Sequence, residues 1–263
     1  MKITLSFEQS NSSDVSIMVD ALRASTTITL ALNYFEKIIP CFTPKEGFKL
    51  KEKTKGLLAG ERKGKKIEGY DIGNSPSYIK DLKQGNKTLI LTTSNGTRIL
   101  KNMNSKVLVG SLVNASAVGE ISAKIATNHI DVVMAGVKGE FAIEDFLASG
   151  EILYQICENL DEYELSEYAK SAILASRNYD ALKESFFNSR SGKRLIELDY
   201  KNDVDICCMK NISKNVGIYK NNEINTHITI TLIKKERLST TQLKPSVNHF
   251  LPSLPEIITI LNF

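Results

Sequence analysis

The sequence has no uninterrupted apolar run of about 18 residues or more, the length that a membrane-spanning helix requires. Its first residues also lack the charged and then apolar leader, ending in small residues, that directs secretion. Both absences argue against a membrane protein and a secreted protein. We therefore expect a cytoplasmic protein with no membrane partner.

Cysteine is scarce and shows no zinc-ligand spacing. Two of the four cysteines, Cys207 and Cys208, are adjacent and poorly placed to form a disulfide with each other, and the other two are Cys41 and Cys157. So few cysteines in a chain of 263 residues indicate buried thiols in a reducing compartment.

Several familiar catalytic motifs are also missing. The sequence has no Gly-x-x-x-x-Gly-Lys-Ser/Thr phosphate loop, no Gly-x-Gly-x-x-Gly after a strand and no Gly-x-Ser-x-Gly elbow. The histidines His129, His227 and His249 do not form a His-Glu-x-x-His site. The commonest nucleotide-binding, serine hydrolase and zinc protease interpretations are therefore excluded.

The net charge of +4 is spread along the chain. It is too mild to predict a nucleic-acid partner, but it suits a small anionic substrate. The length allows one large α/β domain or two small ones. We place a catalytic domain at residues 1–225 and a C-terminal extension, to which we assign no role, at residues 226–263.

Apolar runs of strand length alternate with helix-length segments through about the first 160 residues. Several runs are apolar throughout, as expected for strands that helices cover on both faces. This pattern predicts an α/β class with three α/β/α layers and a mixed or largely parallel sheet. The predicted strands are Val15–Val19, Lys37–Phe42, Gly56–Ala59, Lys87–Leu91, Lys106–Val109 and Ile130–Met134.

The second part of the chain is mostly helical, and we expect Ser191-Gly192 to interrupt it. The alternating segment Glu223–Lys234 predicts a strand with one exposed face. A weak internal similarity relates Leu58-Ala59-Gly60 with Lys63-Gly64 to Met134-Ala135-Gly136 with Lys138-Gly139. If it reflects two related halves, a ligand site would lie between them.

Asp20 directly follows the apolar run Val15–Val19 and precedes Arg23 and a hydroxyl-rich helix start. Open α/β sheets bind ligands outside the carboxyl ends of their strands, and the free N–H groups of a helix start attract anions. A carboxylate for a metal and an arginine for an oxyanion, three residues apart, suggest phosphate chemistry. The alternative is a turn in which the two side chains only pair or cap.

Carboxylates also occur near other predicted strand ends. Hydrolysis of a phosphate ester requires neutralisation of developing negative charge, and hard oxygen ligands favour Mg²⁺. We predict that Asp20 and Asp71 bind Mg²⁺ and that Glu61 or Asp145 assists. Asp71 lies in a glycine-rich turn that permits close backbone approach.

Cations and a polar turn complete the predicted site. Arg23 and Arg62 would neutralise the phosphate group, and Asp20, Arg23, Arg62 and Asp71 are the predicted catalytic residues. The predicted substrate-binding residues are Thr92, Thr93, Asn95, Gly96, Thr97, Asn114 and Lys138.

Six motifs in order resemble those of the 2-phosphosulfolactate phosphatases of coenzyme M biosynthesis. They are Val-Asp-Ala-Leu-Arg-Ala-Ser-Thr-Thr (19–27), Gly-Glu-Arg (60–62), Gly-Tyr-Asp-Ile-Gly-Asn-Ser-Pro (69–76), Thr-Thr-Ser-Asn-Gly-Thr (92–97), Gly-Ser-Leu-Val-Asn-Ala (110–115) and Ala-Gly-x-x-Gly-x-Phe-x-x-Glu-Asp (135–145). The resemblance covers about Ile3 to Gly217. It implies a magnesium-dependent hydrolase that converts 2-phospho-3-sulfolactate to 3-sulfolactate on an α/β/α fold.

The chain departs from the family pattern at Ser94, a mild change within a turn, and it continues beyond the usual end near residue 225. Three alternatives remain at this point. The substrate could be another small phosphorylated hydroxy acid, or the domain could bind anions without catalysis. Asp20 could instead be a covalent nucleophile, although Leu22 occupies the place of the second aspartate of that mechanism. A homodimer is compatible with each of them.

Overall fold

The structure is a computed structural model, and it describes residues 1–82, 87–100 and 103–226. Eleven strands occur in this part of the chain. They are β1 Lys2–Phe7, β2 Val15–Val19, β3 Lys37–Cys41, β4 Leu57–Arg62, β5 Lys65–Lys66, β6 Thr88–Thr92, β7 Lys106–Gly110, β8 His129–Met134, β9 Glu164–Leu165, β10 Gly217–Lys220 and β11 Glu223–Asn225.

Ten α-helices accompany these strands in the described ranges, and a short 3₁₀ turn covers Leu112–Asn114. They are α1 Ala24–Ala31, α2 Pro44–Thr54, α3 Pro76–Lys80, α4 Gly96–Leu100, α5 Ala115–Ile125, α6 Ile143–Cys157, α7 Glu167–Ser176, α8 Tyr179–Asn188, α9 Arg190–Glu197 and α10 Lys201–Cys207. None of the described helices is both long enough and apolar enough to cross a lipid bilayer.

The sheet combines two parallel sets of strands. Its order is β5-β4-β6-β3-β11-β10-β7-β2-β8-β1-β9. Strands β4, β6 and β3 are parallel to one another, as are β7, β2, β8, β1 and β9. The antiparallel hairpin β10–β11 joins the two sets, with β10 beside β7 and β11 beside β3. The predicted α/β class with a largely parallel sheet is therefore confirmed.

The central strands are covered on both faces. Every residue of β2 and of β6 is buried, and only the first residue of β7 and of β8 is not. Their side chains pack into one large apolar cluster that also includes Ile28 of α1 and Ile99 of α4. This burial explains why these strands read as continuous apolar runs rather than as alternating ones. All four cysteine thiols are buried, as predicted.

The predicted interruption at Ser191-Gly192 is wrong, because α9 passes through both residues. The Ser189 hydroxyl caps this helix by accepting a hydrogen bond from the Gly192 N–H at 2.9 Å. A Cβ atom on Gly192 would lie 1.9 Å from the Phe186 carbonyl oxygen. Here glycine permits close packing at a helix start instead of breaking the helix.

The first residues of the predicted strand Glu223–Lys234 form strand β11, Glu223–Asn225. The rest of that strand lies outside the described residues, as does the predicted extension from residue 227 onward. Strand β1 was not predicted. It lies between β8 and β9 in the sheet.

Candidate active site

A cavity of about 700 Å³ is lined by residues at the end of β4, by the loops that follow β2, β4, β6 and β8, by Asn74 just before α3 and by α9. Six basic side chains line it against three acidic ones, so the charge balance favours an anionic ligand. The basic residues are Arg23, Arg62, Lys63, Lys138, Arg190 and Arg194, and the acidic residues are Asp20, Glu61 and Glu140.

Asp20 lies where β2 ends, and its side chain joins the two parallel sets of strands. One carboxylate oxygen accepts a hydrogen bond from the Ala24 N–H at 3.2 Å, and the other accepts from the Gly96 N–H at 2.8 Å. Burial, together with the nearby carboxylate of Glu61, raises the pKa of Asp20 to about 6, although the hydrogen bond from the Ala24 N–H opposes the shift. Asp20 is therefore a buried acid whose charge is costly unless a cation offsets it.

Glu61 comes from the end of β4 and is the second buried carboxylate on the cavity wall. Its Oε1 accepts hydrogen bonds from the Ser94 N–H and hydroxyl at 2.9 and 2.8 Å. Its Oε2 accepts from the Gly64 N–H at 2.8 Å. The loop after β6 and the turn after β4 are thus held together through this side chain.

Two lysine–glycine turns of the same shape face the cavity, one after β4 and one after β8. Lys63 and Gly64 have φ angles of 55° and 83°, and Lys138 and Gly139 have φ angles of 55° and 82°. Left-handed φ at both central residues defines the tight hairpin turn that normally carries Asn, Asp or Gly. These two segments are the ones whose sequences resemble each other. The idea that the halves are related by duplication stays a prediction.

Arg23 lines the cavity, but the fold already uses much of its guanidinium group. Its Nη1 lies 2.5 Å from Oδ2 of Asp203, and its Nη2 donates to the Gly64 carbonyl at 2.9 Å. Asp203 is fully buried, and its Oδ1 accepts from the Ser75 hydroxyl and from the N–H and hydroxyl of Ser77. Arg23 can therefore offer a ligand only its remaining N–H groups.

Other predicted residues also reach the cavity wall. Arg62 lines it while donating hydrogen bonds to the carbonyl groups of Phe42 and Glu61. Thr93 and Asn95 line it from the loop after β6, and Gly96 contributes through its N–H bond to Asp20. The structure thus brings Asp20, Glu61, Arg23, Arg62, Thr93, Asn95 and Lys138 together.

Asp71 does not belong to this cavity, so its predicted place beside Asp20 is wrong. Its carboxylate accepts from the Leu58 N–H at 2.7 Å and pairs with Lys51 at 2.7 Å, and the side chain is 36% exposed. Partial burial acts to raise the pKa of Asp71, but the hydrogen bonds from Lys51 and Leu58 lower it. Asp71 therefore fastens its own turn to β4 and α2.

We expect the substitution Asp71→Asn to leave kcat/KM within about threefold of the wild-type value. The change removes an exposed ion pair, which typically contributes no more than about 1 kcal/mol to stability. Steady-state kinetics together with thermal unfolding of the variant test this expectation. A loss of more than about a hundredfold in kcat with an unchanged unfolding temperature would contradict it and return Asp71 to the site.

Besides Asp71, five predicted residues are not on the cavity wall: Gly96, which donates its N–H to Asp20, and the four residues Asp145, Asn114, Thr92 and Thr97. The carboxylate of Asp145 accepts from the N–H groups of Ala21 and Gly136, and burial and the nearby Asp20 raise its pKa well above the usual range. Asn114 caps the turn after β7 and donates to the Asn215 carbonyl. The Thr92 hydroxyl shares a hydrogen bond with the Tyr70 hydroxyl, and the Thr97 hydroxyl donates to the Thr93 carbonyl. These residues support the site without lining it.

Sequence reasoning did not select several residues that line or support the cavity. They are Lys63, Asn74, Ser94, Arg190, Arg194 and Asp203. The repeated lysine–glycine pair was a signal for Lys63, and the motif of residues 69–76 contained Asn74. No local signal marked Asp203, because its partners are about 126 to 180 residues away along the chain.

The donor set at the cavity fits a magnesium ion held by two carboxylates. No group of three or more His, Cys, Asp and Glu side chains placed to share a metal occurs in the described part of the chain. Mg²⁺ is usually held by one or two carboxylates, with waters and substrate phosphate oxygens as its other ligands. Asp20 and Glu61 are buried together at the cavity, and their mutual repulsion raises the pKa of Asp20. Asp71 and Asp145 do not fit this role.

A model of the protein family described as 2-phosphosulpholactate phosphatase matches residues 2–222, which include every cavity residue named above. The chain belongs to this family. The match ends in the turn between β10 and β11, so it includes both parallel sets of the sheet.

Curated members of the family align over nearly their whole length. The 2-phosphosulfolactate phosphatase of Methanothermobacter thermautotrophicus is 43% identical over 224 residues, which are 85% of this chain and 95% of the relative. A relative from Clostridium acetobutylicum, named a probable 2-phosphosulfolactate phosphatase, is 39% identical over 82% of this chain and 94% of its own. A relative from Carboxydothermus hydrogenoformans, also named a probable 2-phosphosulfolactate phosphatase, is 39% identical over 81% of this chain and 90% of the relative.

Proposed function

We propose that this chain hydrolyses 2-phospho-3-sulfolactate to 3-sulfolactate and phosphate, as a step of coenzyme M biosynthesis in the cytoplasm. The observation that carries the proposal is the cavity with six basic and three acidic side chains in a chain of this family. The substrate carries a phosphate, a carboxylate and a sulfonate group, so a cavity whose basic side chains outnumber its acidic ones suits it. Four buried cysteine thiols are consistent with a reducing compartment.

Different residues of the cavity have different roles in the proposed reaction. Asp20 and Glu61 would hold Mg²⁺, which neutralises charge on the phosphoryl oxygens. Arg62 and the remaining N–H groups of Arg23 would donate hydrogen bonds to the phosphate oxygens, where charge develops in the transition state. The two carboxylates are fixed by hydrogen bonds from the backbone N–H groups of Ala24, Gly96, Ser94 and Gly64, so little rearrangement is needed to bind the ion.

The carboxylate and sulfonate groups of the substrate would bind the lysines of the two turns. Neither Lys63 nor Lys138 has a side-chain ion pair with any residue in the described ranges. The two ammonium groups come from opposite sets of the sheet, and both line the same cavity. They can therefore meet two anionic groups of one small molecule.

An assay of phosphate release tests the proposed function. Purified enzyme would receive 2-phosphosulfolactate, 2-phospholactate or 2-phosphoglycerate, each with Mg²⁺ or with a chelator. We expect the highest kcat/KM with 2-phosphosulfolactate and little turnover under chelation. Preference for phospholactate or phosphoglycerate would point to another phosphorylated hydroxy acid. No release from any phosphoester would point to a noncatalytic anion-binding domain.

We expect the substitutions Lys63→Met and Lys138→Met each to raise the KM for 2-phosphosulfolactate about tenfold, since a charge-assisted hydrogen bond contributes about 1.5–3 kcal/mol. Methionine keeps the length and apolar stem of lysine without the charge. Steady-state kinetics on 2-phosphosulfolactate and on 2-phospholactate, which lacks the sulfonate, provide the measurement. The lysine that binds the sulfonate should matter less for 2-phospholactate.

Lys65 provides a matched control for this prediction. It is an exposed lysine at the other side of the same turn as Lys63, and it does not line the cavity. The substitution Lys65→Met should leave both KM values near those of the wild type. Equal KM changes in all three variants would show a general loss of surface charge and would refute specific binding by the two turn lysines.

A further inference from the structure

Asn74 differs from the other buried polar side chains on the cavity wall because no described protein group is hydrogen-bonded to its amide. Asp20, Glu61 and Arg23 each bond to protein groups. Asn74 is 3% exposed and lines the cavity, yet its side-chain amide makes no hydrogen bond within the described ranges. Its Oδ1 is fully enclosed and without a partner.

The backbone next to Asn74 is firmly anchored, so the position of the amide follows from the fold. The Ser75 hydroxyl donates to Oδ1 of Asp203 at 2.8 Å and accepts from the Tyr78 N–H at the start of α3. Asp203 in turn forms the buried ion pair with Arg23. The same contacts that fix Arg23 at the cavity therefore hold Asn74 there, although nothing in the described chain bonds to its amide.

A buried amide without partners lowers stability, because it loses its hydrogen bonds to water and gains none in return. Natural proteins satisfy most such groups, and exceptions at ligand sites are retained where binding needs them. Asn74 lines the cavity and no group in the described part of the chain bonds to its amide, so a ligand in the cavity is the partner that remains for its N–H group.

We infer that Asn74 is a substrate-binding residue whose amide N–H group donates a hydrogen bond to an oxyanion of the substrate. This inference rests on the proposed function of the cavity. The three acid groups of 2-phosphosulfolactate offer acceptors and, when ionised, no donors, which matches the unused donors of the amide.

A neutral donor suits this place for an electrostatic reason. Asp20 and Glu61 already bring two carboxylates to the cavity wall, and Asp203 offsets the charge of Arg23. A carboxylate at position 74 would repel the substrate, whereas an amide binds it without adding charge. The sequence motif of residues 69–76 then contributes to the site through Asn74 rather than through Asp71.

The test compares Asn74→Ala and Asn74→Asp with Ser149→Ala as a control. Ser149 is a fully buried residue of α6 whose hydroxyl also lacks a partner, and it does not line the cavity. The measurements are kcat and KM for 2-phosphosulfolactate, the affinity for inorganic phosphate by calorimetry with Mg²⁺, and the unfolding temperature without phosphate.

We expect Asn74→Ala to raise KM and weaken phosphate or substrate binding about tenfold or more, with no fall in unfolding temperature. Asn74→Asp should be at least as impaired, and Ser149→Ala should keep wild-type kinetics. Wild-type KM and affinity in Asn74→Ala would overturn the inference. So would a lowered unfolding temperature with unchanged affinity, or better binding by Asn74→Asp than by Asn74→Ala. If wild-type enzyme binds phosphate but does not hydrolyse 2-phosphosulfolactate, the proposed function fails while calorimetry still decides the role of Asn74.

Discussion

Replacing Asp20 with asparagine is expected to lower kcat for 2-phosphosulfolactate by about 10²–10³-fold, the usual effect of removing one preorganised electrostatic group from an active site. Asparagine keeps the shape of the side chain but removes the negative charge that would hold Mg²⁺. A higher Mg²⁺ concentration should therefore restore part of the activity. Kinetics across a range of Mg²⁺ concentrations test both expectations, and full activity in the variant would remove Asp20 from the site.

The pH dependence of the free energy of unfolding provides a second measurement on the Asp20→Asn variant. Because the pKa of Asp20 is raised from 3.8 to about 6 in the fold, the folded state binds a proton more readily than the unfolded state does. The stabilisation from this protonation is complete below about pH 4 and is lost as the pH rises through about 6. The free energy of unfolding, measured in urea without Mg²⁺ between pH 4 and 7, should show this loss in the wild type and a smaller loss in Asp20→Asn, where the buried Asp145, whose pKa is also raised, still contributes.

The role of Asp20 as a metal ligand can be separated from a covalent mechanism. A single-turnover reaction with substrate labelled with phosphorus-32, quenched in acid, distinguishes the two routes. Direct attack by water transfers the phosphoryl group straight to water and leaves the protein without label. Label on Asp20 that hydroxylamine releases, as expected of an acyl phosphate, would show a covalent aspartyl-phosphate intermediate and would refute the ligand role.

Replacing Asp203 with alanine is expected to lower the free energy of unfolding by about 3–5 kcal/mol, the typical cost of removing one partner from a buried ion pair. The change leaves Arg23 buried without its counter-ion, since the two side chains are 3% and 0% exposed. It also leaves the hydroxyl groups of Ser75 and Ser77 without their acceptor. Urea unfolding gives the measurement.

The same helix offers a matched control. Asp205 in α10 has a side chain that is 37% exposed, and it pairs only loosely with Lys183 at 3.8 Å. The substitution Asp205→Ala should cost less than about 1 kcal/mol. Similar losses in the two variants would mean that helix α10, rather than the buried pair, accounts for the effect.

The fold class could be predicted because the central strands are buried on both faces. Strand β2 has the predicted bounds Val15–Val19, and the other five predicted strands differ from β3, β4, β6, β7 and β8 by one to three residues at their ends. The strand β1 escaped prediction because its burial is partly alternating and polar side chains such as Thr4 and Ser6 bond to Asp131. The pairing of β10 with β7 could not be predicted, since more than 100 residues separate them.

The candidate site was predicted in its motifs but only partly in its residues. Asp20, Glu61 and Lys138 line one cavity, as their positions after strands suggested. In the motif of residues 69–76, the acidic residue attracted the metal prediction, but Asp71 pairs with Lys51 and Asn74 lines the cavity. Residue chemistry alone favours the charged residue of such a turn as the metal ligand, because the sequence does not show which side chain faces the site.

The sequence by itself determined that strands and helices alternate, that the central strands are buried, and that acidic and basic residues follow those strands. Local patterns carry this information because burial and helix capping depend on neighbouring residues. Only the tertiary structure decided which of these side chains share a cavity. It placed the hairpin β10–β11 between the two parallel sets, and it committed Arg23 to Asp203 while leaving the Asn74 amide unpaired. These contacts join residues more than 100 positions apart, or depend on side-chain direction, and no local pattern records either.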